Sequence, residues 1–348
     1  MIYNKIIKPL LFSLNIEQAR LLAIWMLRFV GAIPFGKRAL KRCFAAQDPS
    51  LEREVFGIKF QNPIGLAAGF DNNAEVIEEM GALGFGFVEV GSITTQEQEG
   101  NPKPRIFRLG KDAIIERLGG ENRGWAKCIN SLRSHKKGVV VGCNISINSF
   151  VAQELAPREY LKCFRNLYQY TDYFTLCLPA NSIEGDAAAF EVERVRSIIT
   201  PLFDFRRGQS DYRPILIKIS PDLSDEHIDQ ITDLMIETPL DGIVAVSGTN
   251  SREELDIDTL AAQRIGRGRI VGKLLRKRAL EVVKRVHQRS GGAYPIIGVG
   301  GISSASDAKE MLEAGASLVQ LYSGLIYQGP SVAGDICREL SSDNKKEK

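Results

Sequence analysis

The chain contains few of the residues that build metal centres or disulfide frameworks. Among 348 residues there are six cysteines and three histidines, and no two cysteines have Cys-x-x-Cys spacing. This scarcity predicts no metal site, and scattered thiols are typical of a reducing cytosol, where most are small core residues. The chain also lacks a Walker phosphate loop, an internal repeat and the apolar segment of a signal peptide.

Long apolar runs are also missing, because Glu17, Arg20 and Arg28 divide the most apolar stretch, which leaves no uninterrupted membrane span. Lysine and arginine outnumber acidic residues eight to one within residues 1–46. Trp25 lies there in a broad apolar face of the kind that binds lipid interfaces. A helix pair packed only on its own domain is one interpretation. The basic excess favours the other, a helix pair that attaches a cytoplasmic protein peripherally to the inner face of a membrane.

Short apolar, β-branched runs alternate with helical patterns through the rest of the chain. We predict strands at residues 63–68, 85–90, 139–144, 173–178, 215–219, 242–246, 296–299 and 317–321. Eight parallel strands with intervening helices predict an α/β fold, a closed (β/α)8 TIM barrel. The predicted organisation is an amphipathic helical extension over residues 1–46, the barrel over 47–340 and a polar tail over 341–348.

Two small-residue turns in residues 296–330 indicate where a ligand would bind. Each turn follows a strand and opens a helix, and Ser303 or Ser304 can cap the first of these helices. Free amide groups at adjacent helix starts predict a phosphate site after the seventh and eighth strands. Two tight turns without a ligand are the alternative. The turns are Gly300-Gly301 and Tyr322-Ser323-Gly324.

Several blocks of sequence carry a family resemblance along nearly the whole chain. They are residues 62–71 (NPIGLAAGFD), 84–94 (GFGFVEVGSIT), 100–109 (GNPKPRIFRL), 215–224 (ILIKISPDLS) and 296–330. In these blocks the chain resembles the membrane-associated, quinone-using dihydroorotate dehydrogenases. The resemblance implies an FMN-type barrel, and a reaction of pyrimidine biosynthesis in which dihydroorotate is oxidised to orotate with quinone as the acceptor.

The same resemblance implies a set of cofactor contacts. Lys218 interrupts an apolar strand, so its ammonium needs a partner: a flavin edge, as in the family, or an internal carboxylate. Arg108 and Tyr322 match residues near the family's quinone entrance. The implied FMN positions are Ala68, Gly69, Ser92, Asn144, Lys218, Gly272, Gly300, Gly301, Tyr322 and Ser323.

The loop after the fourth strand departs from the family's Asn-x-Ser-Ser-Pro-Asn-Thr motif. Residues 177–183 read CLPANSI, which places Ala180 where the family has its serine base. A methyl group cannot accept a proton, and a lost general base costs about 10²- to 10⁴-fold in rate. Possible substitutes are Cys177, Ser182 and the glutamates Glu116 and Glu121. The alternatives are a small barrel residue for the cysteine and surface-loop carboxylates for the glutamates.

The substrate positions depart in the same direction. Asn72 replaces a lysine and Glu116 replaces an asparagine. One positive charge is lost and one negative charge is gained, so the net charge falls by two around a site that binds a carboxylate in the family. Two unit charges at 4 Å interact by roughly 4 kcal/mol in a partly screened site. Together with Ala180, these changes predict weak or lost dihydroorotate oxidation. The other positions matching the family's substrate site are Ser182, Ser247 and Gly248.

Three functions remain open on the sequence: a working quinone-linked dihydroorotate dehydrogenase, an FMN oxidoreductase for another small substrate, and a non-catalytic binding or structural barrel. We expect FMN to bind, but more weakly than in the family, because Cys177 and Val246 replace hydrogen-bonding ligands. The seven basic residues within residues 264–278 have no interleaved aromatic residue. They predict a solvated outer helix with a phosphate-facing loop, and no nucleic-acid partner.

Overall fold

The computed structural model describes residues 5, 7–110, 112–135, 138–178, 191–252, 255–257 and 259–346, with backbone only at 259 and 344–346. The strands are β1 Arg53–Val55, β2 Ile58–Phe60, β3 Ile64–Leu66, β4 Phe87–Ile93, β5 Ile106–Leu109, β6 Ala113–Glu116, β7 Val140–Ile145, β8 Tyr173–Cys177, β9 Ile215–Ile219, β10 Gly242–Ala245, β11 Arg269–Gly272, β12 Ile296–Val299 and β13 Leu318–Leu321. The helices are α1 Lys8–Ser13, α2 Ile16–Ala32, α3 Gly36–Phe44, α4 Ile77–Ala82, α5 Gly124–Ser134, α6 Ala156–Leu167, α7 Val192–Arg207, α8 Asp225–Glu237, α9 Thr259–Ile265, α10 Arg276–Arg289, α11 Ala305–Glu313, α12 Ser323–Gln328 and α13 Val332–Lys346.

Eight parallel strands close into a barrel in the order β3-β4-β7-β8-β9-β10-β12-β13. Closure is made between the last and first strands, where Val319 pairs with Ile64. All eight predicted strands are confirmed, with small shifts at their ends. Strand β9 shows why a continuous apolar run predicted these strands. Ile215 and Ile217 face the outer shell of helices, while Leu216 faces the barrel interior. Burial on both faces produces the continuous apolar runs typical of parallel sheets.

Two small sheets complete the barrel, and neither was predicted from the sequence. The β1–β2 hairpin places Val55 and Phe60 in the interior cluster of the barrel, beside Phe87. Strands β5, β6 and β11 form an antiparallel sheet with order β11-β6-β5. Its residues Glu116 and Gly272 belong to the wall of the cavity described below.

The N-terminal helices pack on the barrel through one face and leave another face open. Ile16, Glu17, Arg20 and Ile24 of α2 are buried, whereas Trp25 is 62% exposed. One face of α2 thus packs on its own domain and another is exposed, and the predicted attachment to a membrane stays a prediction. Within the part of the chain that the structure describes, no single helix is long and apolar enough to cross a bilayer. α2 and α3 meet that length and composition only as a pair, bent by 116°.

The predicted boundary of the C-terminal tail at residue 341 was wrong. Helix α13 continues to Lys346. Its residues Ile336, Cys337 and Leu340 are buried in the outer core. Ser341 is buried as well, and its hydroxyl donates a hydrogen bond to the carboxylate of Asp48. Apolar packing and this polar contact hold the helix in place beyond the expected end of the domain.

Candidate active site

A cavity of about 650 Å³ lies at the carboxyl ends of the barrel strands. This volume falls within the roughly 300–1,000 Å³ of small-molecule sites, and the position is the one used by (β/α)8 enzymes. The cavity wall contains every residue that was predicted to contact FMN. These are Ala68, Gly69, Ser92, Asn144, Lys218, Gly272, Gly300, Gly301, Tyr322 and Ser323.

The two predicted turns form one side of the cavity. Gly300 and Gly301 have φ angles of 136° and 71°, and a Cβ on either would lie 2.8 Å from a neighbouring side-chain carbon. Only glycine fits such positions without strain. Ser304 caps α11 by accepting a hydrogen bond from the Asp307 amide at 3.2 Å, and α12 starts directly after Tyr322. Residues of both turns, Gly300, Gly301, Tyr322 and Ser323, line the cavity.

Lys218 is the cation of this cavity whose partner the sequence left open. It sits on the inner face of β9, 8% exposed, in register with Cys177 of β8. No hydrogen bond or ion pair to it occurs within the described residues, so no described carboxylate serves as its internal partner. The nearby Ser247 hydroxyl is also buried without a partner in the described chain. An ammonium and a hydroxyl left unsatisfied fit the polar edge of a flavin.

Glu116 faces the cavity and is held there by Tyr322. The tyrosine hydroxyl donates a hydrogen bond to Glu116 Oε2 at 2.9 Å. Desolvation and then the charge of Glu116 raise the pKa of Tyr322 well above its ordinary value. Tyr322 therefore remains a protonated donor at neutral pH. The carboxylate is a hydrogen-bond acceptor in the cavity wall.

Glu121 differs from Glu116, because it is engaged by cations. Its Oε2 lies 3.2 Å from nitrogens of both Arg20 and Arg105, and its backbone carbonyl accepts a hydrogen bond from Asn72 Nδ2 at 3.0 Å. The carboxylate of Glu121 is therefore engaged by two guanidinium groups, whereas that of Glu116 is held by the Tyr322 hydroxyl. Of the two glutamates predicted as substitute bases, only Glu116 keeps that role open.

Four of the remaining predicted site residues are brought together in the same cavity. Asn72, Cys177, Ser247 and Gly248 line the cavity. Ala180 and Ser182 lie outside the described residues.

Arg108 is placed beside the N-terminal helices and is not part of the cavity wall. Its guanidinium donates to the carbonyls of Leu14 and Leu11 at 2.8 and 3.2 Å, and it stacks 4.5 Å from the ring centroid of Phe12. These contacts fix the junction of α1 and α2 against β5. The location keeps open the predicted role at a quinone entrance.

Sequence reasoning missed a fully buried carboxylate, Glu89, beneath the cavity. It is 0% exposed on β4 and accepts hydrogen bonds from four side chains. The signal was present as one acidic residue inside the predicted strand at 85–90, where a charge is rarely buried without partners.

A (β/α)8 barrel with a small-molecule site at the carboxyl ends of its strands and an N-terminal helical extension defines the class of this protein. Residues 50–343 match the family model described as dihydroorotate dehydrogenase, and the chain belongs to that family.

Relatives along the full length agree with this assignment. The chain is 41% identical to a dihydroorotate dehydrogenase (quinone) of Christiangramia forsetii, over 97% of this chain and 98% of that one. It is 38% identical to a protein of the same name from Pasteurella multocida, with 96% and 99% covered. Among solved structures, it is similar to a dihydroorotate dehydrogenase from Eimeria tenella in complex with ferulenol. That match has a TM-score of 0.82 at 30% identity and covers 95% of this chain and 92% of that one.

Proposed function

We propose that the protein is an FMN-dependent oxidoreductase of the quinone-linked dihydroorotate dehydrogenase type. The observation that carries the proposal is Lys218, a buried residue (8% exposed) of the cavity wall whose ammonium has no partner in the described chain. When bound, FMN supplies a two-electron acceptor for hydride. The relatives named dihydroorotate dehydrogenase (quinone) support the oxidation of dihydroorotate to orotate with quinone as the acceptor.

The residues of the cavity have separate tasks in this proposal. The turns at Gly300-Gly301 and Tyr322-Ser323 bind the phosphate group through their amides. Lys218 would hold the ring edge, and its ammonium would stabilise the negative charge that develops on reduction. The inner face of β9 supplies this ammonium on a rigid strand, so no loop movement is needed to place it.

The substrate half of the site differs from the family's pattern, and we propose that dihydroorotate oxidation is correspondingly slow. Ala180 occupies the position of the base, and Tyr322 holds the carboxylate of Glu116 in the cavity wall. The missing base alone lowers the rate by about 10²- to 10⁴-fold. Glu116 also favours a second candidate function, oxidation of another small molecule that carries hydrogen-bond donors instead of a carboxylate.

Anaerobic flavin reduction tests both candidates. We expect the purified protein to be yellow and its flavin absorbance to bleach slowly with dihydroorotate. Ala180→Ser restores a hydroxyl and Glu116→Asn removes the opposing charge, so the double variant should bleach at least about a hundredfold faster. Wild-type bleaching as fast as that of the double variant would show that neither residue limits the reaction. If no substrate bleaches the flavin absorbance of the wild-type protein, the result would instead support a binding or structural barrel.

We also infer that α2 attaches the protein to a membrane surface. Leu21, Trp25, Phe29 and Ile33 recur at four-residue spacing and are 45–62% exposed, and the Trp25 and Phe29 rings stack with centroids 5.7 Å apart. An exposed apolar stripe of this kind, flanked by cations, suits a lipid interface. The full chain should float with liposomes, and substitution of these four apolar side chains by charged ones should abolish the flotation. Leu260→Glu, which alters an equally exposed leucine of the barrel, should leave it intact.

A further inference from the structure

We propose that Glu89 is a positioning residue of the cofactor site, which orients Asn144 and places a fixed negative charge below the cavity floor. This inference rests on the proposed function, because its consequence is read out on bound FMN. Asn144 lines the cavity, whereas Glu89 does not. The carboxylate therefore acts through its neighbour and has no direct contact with a ligand.

The contacts of Glu89 come from three strands besides its own. Oε1 accepts from Asn144 Nδ2 of β7 at 3.0 Å. Oε2 accepts from Tyr173 Oη at 3.2 Å and Thr175 Oγ1 at 3.0 Å, both on β8, and from Gln320 Nε2 of β13 at 2.8 Å. The five side chains are no more than 1% exposed. The carboxylate is thus sealed from solvent and satisfied on both oxygens.

Glu89 accepts all four of these hydrogen bonds, so the one at Oε1 fixes which end of the Asn144 amide faces it. Nδ2 turns toward Glu89, and Oδ1 accepts a hydrogen bond from Ser92 Oγ at 2.5 Å. One N–H of Asn144 is left without a partner in the described chain, in a residue of the cavity wall. The network therefore presents a single oriented donor to whatever occupies the cavity.

The charge on Glu89 is not neutralised by a neighbouring cation. All four donors are uncharged, and no Lys, Arg or His of the described residues lies within ion-pair distance. A buried charge in a medium of low polarisability acts over longer distances than one in water. It opposes the arrival of further negative charge above the floor, so it makes the reduction of bound FMN less favourable.

The test compares FMN affinity and midpoint potential among four forms of the full-length protein. Glu89→Gln should weaken FMN binding by about tenfold, the effect of one lost hydrogen bond, and shift the midpoint potential to a more positive value. Glu89→Asp keeps the charge but withdraws it by one methylene, so affinity should fall while the potential stays near that of wild type. It also serves as the test if the glutamine variant does not fold. Tyr173→Phe removes a donor that lies away from the cavity, and should lower thermal stability without changing affinity or potential.

A double-mutant cycle separates positioning from general destabilisation. If Glu89 acts through Asn144, then Asn144→Ala combined with Glu89→Gln should bind FMN no more weakly than Asn144→Ala alone. Unchanged affinity and potential in both Glu89 variants, with only a lower melting temperature, would overturn the inference and leave the proposed function standing. A wild-type protein that takes up no FMN would refute the proposed function itself, and the inference with it.

Discussion

The attachment of the N-terminal helices to the barrel depends on a buried ion pair that can be removed by one substitution. Glu17 of α2 lies 2.7 and 3.1 Å from two nitrogens of Arg105, and the two side chains are 7% and 3% exposed. Breaking a buried pair costs about 3–5 kcal/mol. Arg105 keeps Glu121 at 3.2 Å as a second partner, which lowers the expected loss for Glu17→Gln to about 2–3 kcal/mol.

This loss corresponds to about a 30- to 150-fold rise in the undocked population of the N-terminal helices. Hydrogen exchange of the amides in α2 measures that population, since exchange requires local opening. We expect faster exchange across α2 in Glu17→Gln and unchanged exchange in the barrel strand β9. The barrel does not depend on this pair for its closure.

An exposed ion pair supplies the matched control. Glu97 lies 2.6 Å from Lys127, and both side chains are more than half exposed, so Glu97→Gln should cost no more than about 1 kcal/mol. If α2 exchanges no faster in Glu17→Gln than in Glu97→Gln, the buried pair does not hold the helices. Attachment would then rest on the remaining contacts, among them the burial of Ile16 and Ile24 and the hydrogen bonds of Arg108.

The remaining predictions concern pH, the glycine turn and the outer helices. Burial raises the pKa of Glu17, but the hydrogen bond and charge of Arg105 outweigh it and hold the pKa below its ordinary 4.5. The contribution of this pair is therefore fully present above pH 4.5, and the protection of α2 amides, corrected for the intrinsic exchange rate at each pH, should fall as the pH falls through the lower folded-state value. Gly300→Ala should abolish FMN retention on gel filtration, because its φ is 136° and the new Cβ would meet a carbon at 2.8 Å, whereas Gly291→Ala (φ 60°, open space) should retain it. Asp229→Asn removes pairs with two arginines of α10 and should lower the free energy of unfolding in urea by about 0.5–1 kcal/mol, less in 1 M salt.

The barrel could be predicted from the sequence because its strands are buried on both faces and its turns need glycine. The apolar run at 215–219 and the turn at Gly300-Gly301 each follow from one local requirement. The side chain of Lys218 was recognisable for the opposite reason, as a charge where the pattern demands an apolar residue. These features depend on neighbouring residues in the chain, so a linear pattern contains them.

The parts that were missed depend on contacts between distant segments. Glu17 and Arg20 read as interruptions of an apolar helix, and the structure shows them buried against Arg105 and Glu121, about a hundred positions away. The antiparallel sheet joins β11 to β6 across a still larger separation, as in the pairing of Arg269 with Glu116. No local pattern distinguishes such a charge from a solvated one, because its partner is set only by the folded topology.

The carboxylate of Glu89 also has a consequence for how the barrel assembles. Its donors lie on β7, β8 and β13, so all of its hydrogen bonds form only when the strands on both sides of β4 are correctly aligned. A slip of one residue in any of these strands would turn a donor to the outer face. It would leave a buried carboxylate oxygen of Glu89 without one of its donors, at a cost of about 1–3 kcal/mol. Correct closure is thereby favoured over slipped alternatives that would bury nearly the same apolar surface.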